Sequence, residues 1–200
     1  AILVDAQFGK SQAEQVVEKI RASGKQLTTI YISHGDPDYY FGLDTLTAAF
    51  PKAKVLASQP TVDHIKRTVD GKLAFWGPKM GADVPAKTIV PGVLKGDSLI
   101  LEGQKLQVLG LEGPQPDRSF VWIPSIKAVV GGVDAAAVRE VDVGEEEGFA
   151  GEDPGDAEEE GGGEAFALAR FGRGEGDLGG RHAGMVHGRP PFFLCTRHGQ

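Results

Sequence analysis

The chain has 200 residues, a formal net charge of −7, a single cysteine and 40% hydrophobic residues, enough for one domain with a sizeable core. That charge gives no footprint for nucleic acid or an anionic membrane. No apolar stretch is long enough to span a bilayer, and a lone Cys195 allows neither an intrachain disulfide nor a cysteine cage for zinc.

The first residues, AILVDAQF, read as a short buried strand closing on Asp5, with no basic n-region or cleavage site before it. They also lack an initiator Met, as a mature or truncated form would, and the sequence names no compartment. SQAEQVVEKIRASGK follows as a helix: Ser11 with Glu14 three residues on suggests a capping box, Val16, Val17 and Ile20 form an apolar stripe, and Gly24 is the stop. LTTIYIS is rich in β-branched residues and predicts the second strand. The polar cluster SHGDPDYYFG comes next, then a second helix over YFGLDTLTAAF ended by Pro51, a strand at KVLAS and a third helix over TVDHIKRTVDG. FWGPKMGADVPAK reads as the longest irregular stretch, with Phe75, Trp76 and Met80 as core in preference to a pocket mouth. From residue 98 the pattern alternates: SLILEGQKLQVLGLEG and SFVWIPSIKAVVGG are two hairpins.

This order, α/β first and antiparallel β later, fits two sheets packed face to face with helices outside. The parallel strands share one carboxyl edge, where α/β proteins place ligands. Asp5 and His34 are therefore expected to meet there.

Beyond Gly132 the composition breaks. Residues 1–132 carry a net charge of about +2 and residues 133–200 about −9. The second part has no Lys, Ile, Tyr, Ser, Asn or Trp, and GEEEGFAGEDPGDAEEEGGGEAFALARFGRGEGDLGG shows neither strand nor helix periodicity. Two readings stand open: a disordered acidic, glycine-rich tail, or translation out of frame from a GC-rich gene. Only ALARF and PPFFLC have the apolar content to pack. His182 and His187 are not at a helical ligand spacing, Cys195 has no neighbouring base, and the glycines 161–163 are low complexity and not a phosphate loop. The chain divides into a domain over 1–132 and a low-complexity segment over 133–200.

Residues 2–132, taken as an ordered set, resemble the metallo-β-lactamase fold of metallo-hydrolases: a strand ending in Asp, a helix, a strand ending in His-x-x-x-Asp, a helix, then hairpins. The resemblance implies an αββα sandwich, here incomplete, and a metal-dependent hydrolase acting on a small-molecule ester, amide, lactone or thioester. Against the family motif His-x-His-x-Asp-His, His34 matches the first histidine. Asp36 stands in place of the second, Asp38 matches the aspartate, and Tyr39 replaces the last histidine. Asp5 matches the acidic residue that orients the site from the preceding strand. Pro114 and Val133 stand where the family has a histidine and a bridging aspartate.

A dinuclear centre is thus not expected. His34, Asp36 and Asp38 remain as ligands for one divalent ion, zinc by resemblance, with the two carboxylates shifting preference toward Mn²⁺ or Mg²⁺. Asp38 or Asp36 would orient the bound water or take its proton, and Asp5 would fix His34. The alternative is a non-catalytic binding or sensing module with a vestigial site. In it Asp36 and Asp38 are turn or cap residues, His34 bonds Asp5, and Tyr39 and Tyr40 pack at the rim. His64, in the third helix, reads as solvated.

Overall fold

A computed structural model describes residues 1–132 and 193–194. Strands β1 (Ile2–Val4), β2 (Thr29–Ile32), β3 (Lys54–Ala57) and β4 (Gly92–Val93) pair in parallel, each with the next. Between them lie α1 (Lys10–Ala22), α2 (Pro37–Tyr40), α3 (Leu43–Ala49) and α4 (Gln59–Met80). A second sheet of four antiparallel strands follows, β5 (Ser98–Leu101), β6 (Gln104–Leu109), β7 (Phe120–Ile123) and β8 (Ala128–Val130). Strand β9 (Phe193–Leu194) pairs antiparallel with β1. It is the one part of the segment read as disordered that the structure describes, and it comes from PPFFLC. The remainder of that segment lies outside the described residues, and with it the out-of-frame reading, Val133, His182, His187, Cys195 and the glycines 161–163.

The strand alternation builds two cores. Leu3, Ile30 and Ile32 point toward Val16, Val17 and Ile20 of α1, Leu43 and Leu46 of α3, and Val62, Ile65 and Val69 of α4. Ile2, Val4 and Tyr31 point the other way, into the seam between the sheets, against Leu99, Leu106, Val108, Val121 and Val130. A period of two in β1 and β2 thus serves both layers at once. The expected α/β sandwich is observed, with its helices against the parallel sheet.

Three local expectations differ from the structure. Helix α1 starts one residue before Ser11: Gly9 is the N-cap, its N–H donates to Gln12 Oε1 at 3.1 Å, and Ser11 instead donates from N and Oγ to the Asp83 carboxylate. The second predicted helix is two, α2 and α3, parted at Gly42. The third runs from Ser58, whose Oγ accepts from Thr61 N at 3.2 Å, through to Met80, taking in all of FWGPKM. It continues because Leu73, Trp76 and Met80 extend its apolar stripe onto the core; Phe75 faces out, 58% exposed, with the Lys79 ammonium over its ring.

At Gly42 the chain approaches itself closely. Its N–H donates to Gln7 O at 2.9 Å, and a Cβ there would overlap the Ala6 carbonyl oxygen and press on Ala13. Gly42→Ala is expected to destabilise by about 3 kcal/mol, read from the urea midpoint. The Tyr40 hydroxyl is buried with no hydrogen-bond partner among the described residues. Tyr40→Phe should therefore leave the unfolding free energy, read from the urea midpoint, unchanged or raise it by up to about 1 kcal/mol.

Candidate functional site

The carboxyl ends of β1 and β2 lie side by side, in the register Val4↔Tyr31. Asp5 is buried and has φ +65, a left-handed conformation that Asp tolerates better than most residues. Its N–H donates to Tyr31 O at 2.8 Å, which holds the turn. The carboxylate then faces β2: Oδ1 accepts from Ser33 N and Oδ2 from Ser33 Oγ, each at 2.8 Å. Ser33 Oγ also lies 2.9 Å from His34 Nδ1 and accepts from Gly132 N at 3.1 Å.

A hydroxyl has one proton, and here Asp5 takes it. His34 Nδ1 must then donate to Ser33 Oγ, and in the neutral ring Nε2 is the unprotonated nitrogen. The sequence places Asp5 and His34 together, and so does the structure, through the Ser33 hydroxyl. Ser33 itself was not singled out in the sequence, and nothing in its spacing marks it.

His34 is 4% exposed and stacks on Tyr39 with ring centroids 4.4 Å apart. Gly132 lies against both rings; a Cβ there would come within 2.6 Å of each. On its other side His34 forms an isolated antiparallel bridge with Arg118, just before β7. The second sheet is pinned to the same point. Ser119 N and Oγ both donate to Ser33 O, at 3.0 and 3.1 Å, so the Tyr31 hydroxyl, 2.8 Å from Ser119 Oγ, is the donor there. Burial pushes the Tyr31 pKa well above the usual phenol value, which keeps that proton in place.

Asp36 occupies the N-cap position of α2, but its side chain makes no cap bond. Its Oδ1 accepts from Lys72 Nζ at 3.1 Å and its Oδ2 lies 3.6 Å from an Arg118 nitrogen. Burial alone would raise the Asp36 pKa. The Lys72 hydrogen bond and the charges of Lys72, Arg118 and His64 outweigh it and hold the carboxyl below its ordinary value of 3.8. Asp38 is exposed, in the first turn of α2. Among the described residues no three His, Cys, Asp or Glu side chains are grouped so as to hold a metal ion.

His64 departs from its expectation. It is only partly exposed and is bonded on both ring nitrogens: Nδ1 lies 2.5 Å from Asp117 Oδ2 and Nε2 lies 3.1 Å from Lys72 Nζ, while Lys72 also donates to Gly35 O at 2.7 Å. Asp117 sits in the loop before β7, far along the chain, so no local pattern pairs it with His64.

The family model described as metallo-beta-lactamase superfamily matches residues 1–174. The chain belongs to that superfamily. The match runs beyond Gly132, where the resemblance read from the sequence stops. No curated protein sequence matches the chain. Among solved structures, a Cronobacter sakazakii metallo-beta-lactamase with a HARLDQ motif is 23% identical, over 64% of this chain and 47% of that one, with a TM-score of 0.44. One from Pontibacter korlensis is 17% identical over 62% and 50%, TM-score 0.43. The B3 metallo-beta-lactamase BLEG-1 is 15% identical over 62% and 57%, TM-score 0.47. The chain thus spans about half the length of these three structures.

Asp36 gives a pH-dependent prediction. A carboxyl whose folded pKa is depressed stabilises the protein above its unfolded pKa, and that contribution is lost as pH falls through the folded value. Asp36 and Lys72 both keep contact with water, so Asp36→Asn should cost about 1 kcal/mol or less at pH 7. The urea midpoints of variant and parent should converge as pH drops from 4 into the acid range where Asp36 is protonated.

Proposed function

We propose that this chain is a binding module built on the metallo-hydrolase fold, with its ligand loop held by ion pairs where relatives use a metal. The observation that carries this reading is Asp36. It stands where the family motif has its second histidine, and its carboxylate is committed to Lys72, with Arg118 behind it. A divalent ion at Asp36 would have to displace an ammonium that is only 19% exposed and already hydrogen-bonded. Pro114, in the place of a ligand histidine, offers no donor.

The ligand on this reading is a small molecule. Superfamily enzymes act on carbonyl compounds such as esters, amides, lactones and thioesters. Arg118, about half exposed beside His34, offers guanidinium N–H groups to such a carbonyl or to an anionic oxygen at the rim.

A second reading keeps hydrolysis, with His34, Asp36 and Asp38 around one Zn²⁺, Mn²⁺ or Mg²⁺ ion and Asp38 as proton acceptor. What favours it is the fixed His34 ring: Asp5, through Ser33, sets which ring nitrogen carries the proton, as carboxylates do for metal-binding histidines. An ion bound there would polarise the carbonyl and lower the pKa of a coordinated water. Elemental analysis of the purified protein separates the two. The binding module is expected to hold far less than one equivalent of zinc or manganese and to melt at the same temperature with or without EDTA. One equivalent of metal, lost on His34→Ala, would overturn it in favour of the hydrolase.

A further inference from the structure

Strand β5 forms an edge of the second sheet: among the described residues it pairs with β6 alone. Its residues, SLIL, carry neither a charge nor a proline, the devices by which exposed sheet edges avoid partners. Leu99 and Leu101 are buried in the seam, whereas Ile100 is 63% exposed. Lys105, opposite Ile100, lies on β6 and is drawn to Asp97 at 3.6 Å.

The hairpin fixes where the backbone of β5 points. Glu102 and Gly103 both have positive φ, +51 and +80, as in the two-residue turn that closes on a hydrogen-bonded pair, here Leu101 and Gln104. Hydrogen-bonded pairs recur at every second residue. Leu99↔Leu106 is therefore the next, and Val108 N donates to Asp97 O at 2.7 Å one step beyond. Asp97, Leu99 and Leu101 thus direct their polar groups to β6. Ser98 and Ile100 turn their N–H and C=O groups outward, off the sheet.

We propose that this edge pairs with β5 of a second copy of the chain, antiparallel about a two-fold axis at Leu99. One register suits the geometry. Ser98 then faces Ile100 of the second copy, and Ile100 faces its Ser98, each pair exchanging N–H···O=C bonds, so every outward group is used. Leu99 meets Leu99 across the axis on the core side, and the two Ile100 side chains become diagonal neighbours on the outer face. A shift by one residue would oppose core-side leucines to solvent-side residues. A shift by two would set Ser98 against Glu102 or Ile100 against Gly96, both outside the strand. The same register brings Lys95 toward Glu102 of the second copy, both exposed and opposite in charge. The contact is self-complementary, as a two-fold interface requires, and joins two four-stranded sheets into one. With strands this short it is small, so the dimer is a weak one.

Sedimentation velocity of the full chain tests this. The parent is expected to pass from monomer to dimer as its concentration rises about a hundredfold through the micromolar range. Ile100→Lys, which plants a charge on the edge, should stay monomeric. The register is read by Ser98→Cys/Ile100→Cys in a Cys195→Ser background, Cys195 being the only native cysteine. Opposed positions lie within disulfide reach, at about 5.5 Å between Cα atoms. Mild oxidation should link this protein into a covalent dimer, and either single cysteine variant should link about tenfold more slowly or not at all. A parent that stays monomeric throughout overturns the proposal. So does a dimer that Ile100→Lys leaves intact, or a cysteine pair that links no faster than its single variants. Should Ile100→Lys fail to fold by circular dichroism, the cysteine pair decides on its own.

Discussion

The parallel pairing of β1 with β2 is the constraint on which the site depends. Its register sets the ends of the two strands together and turns the Asp5 carboxylate onto Ser33, which it grips by both backbone and hydroxyl. A buried carboxylate is costly unless its lone pairs are used. Here the Ser33 bonds satisfy it, and the same hydroxyl sets the orientation of the His34 ring. A one-residue slip of β2 would turn Tyr31 toward the helices, bring Ile30 and Ile32 into the seam, and leave Asp5 without its partner.

Around this buried centre the loop from Gly35 to Asp38 is governed by charge. Lys72 and Arg118 meet different oxygens of Asp36, one from α4 and one from just before β7 of the second sheet. The loop is therefore tied to both layers of the sandwich. An ion pair of this kind adds little net stability at a wet surface, but it selects one loop conformation among many. In this chain a lysine side chain supplies a positive charge beside Asp36.

Much of the architecture was legible because strand and helix periods are local properties. LTTIYIS, the two hairpins and the stripe Val16, Val17, Ile20 need only their neighbours to declare themselves. The start of α1 was misplaced because Ser11 is drawn off by Asp83, a partner that arrives from the far end of α4. The length of α4 was missed because Gly71, Gly77 and Pro78 look like breakers, while Leu73, Trp76 and Met80 gain enough from the core to carry the helix through them. The site divides in the same way. Asp5 and His34 could be placed by topology, since strand ends share an edge. His64 with Asp117, and Asp36 with Lys72, are contacts between distant segments, and no spacing rule encodes them.

The hydroxyl chain from Tyr31 through Ser119 to the Ser33 carbonyl crosses an otherwise oily seam. Hydrocarbon faces can slide over one another at small cost, but directional contacts made in the absence of water have a single setting. Displacing one layer along the other would strand several polar atoms together, so the seam acts as a lock as well as an adhesive. Because that lock closes on the backbone of Ser33, the alignment of the two halves of the sandwich and the aim of the adjoining imidazole become one mechanical variable.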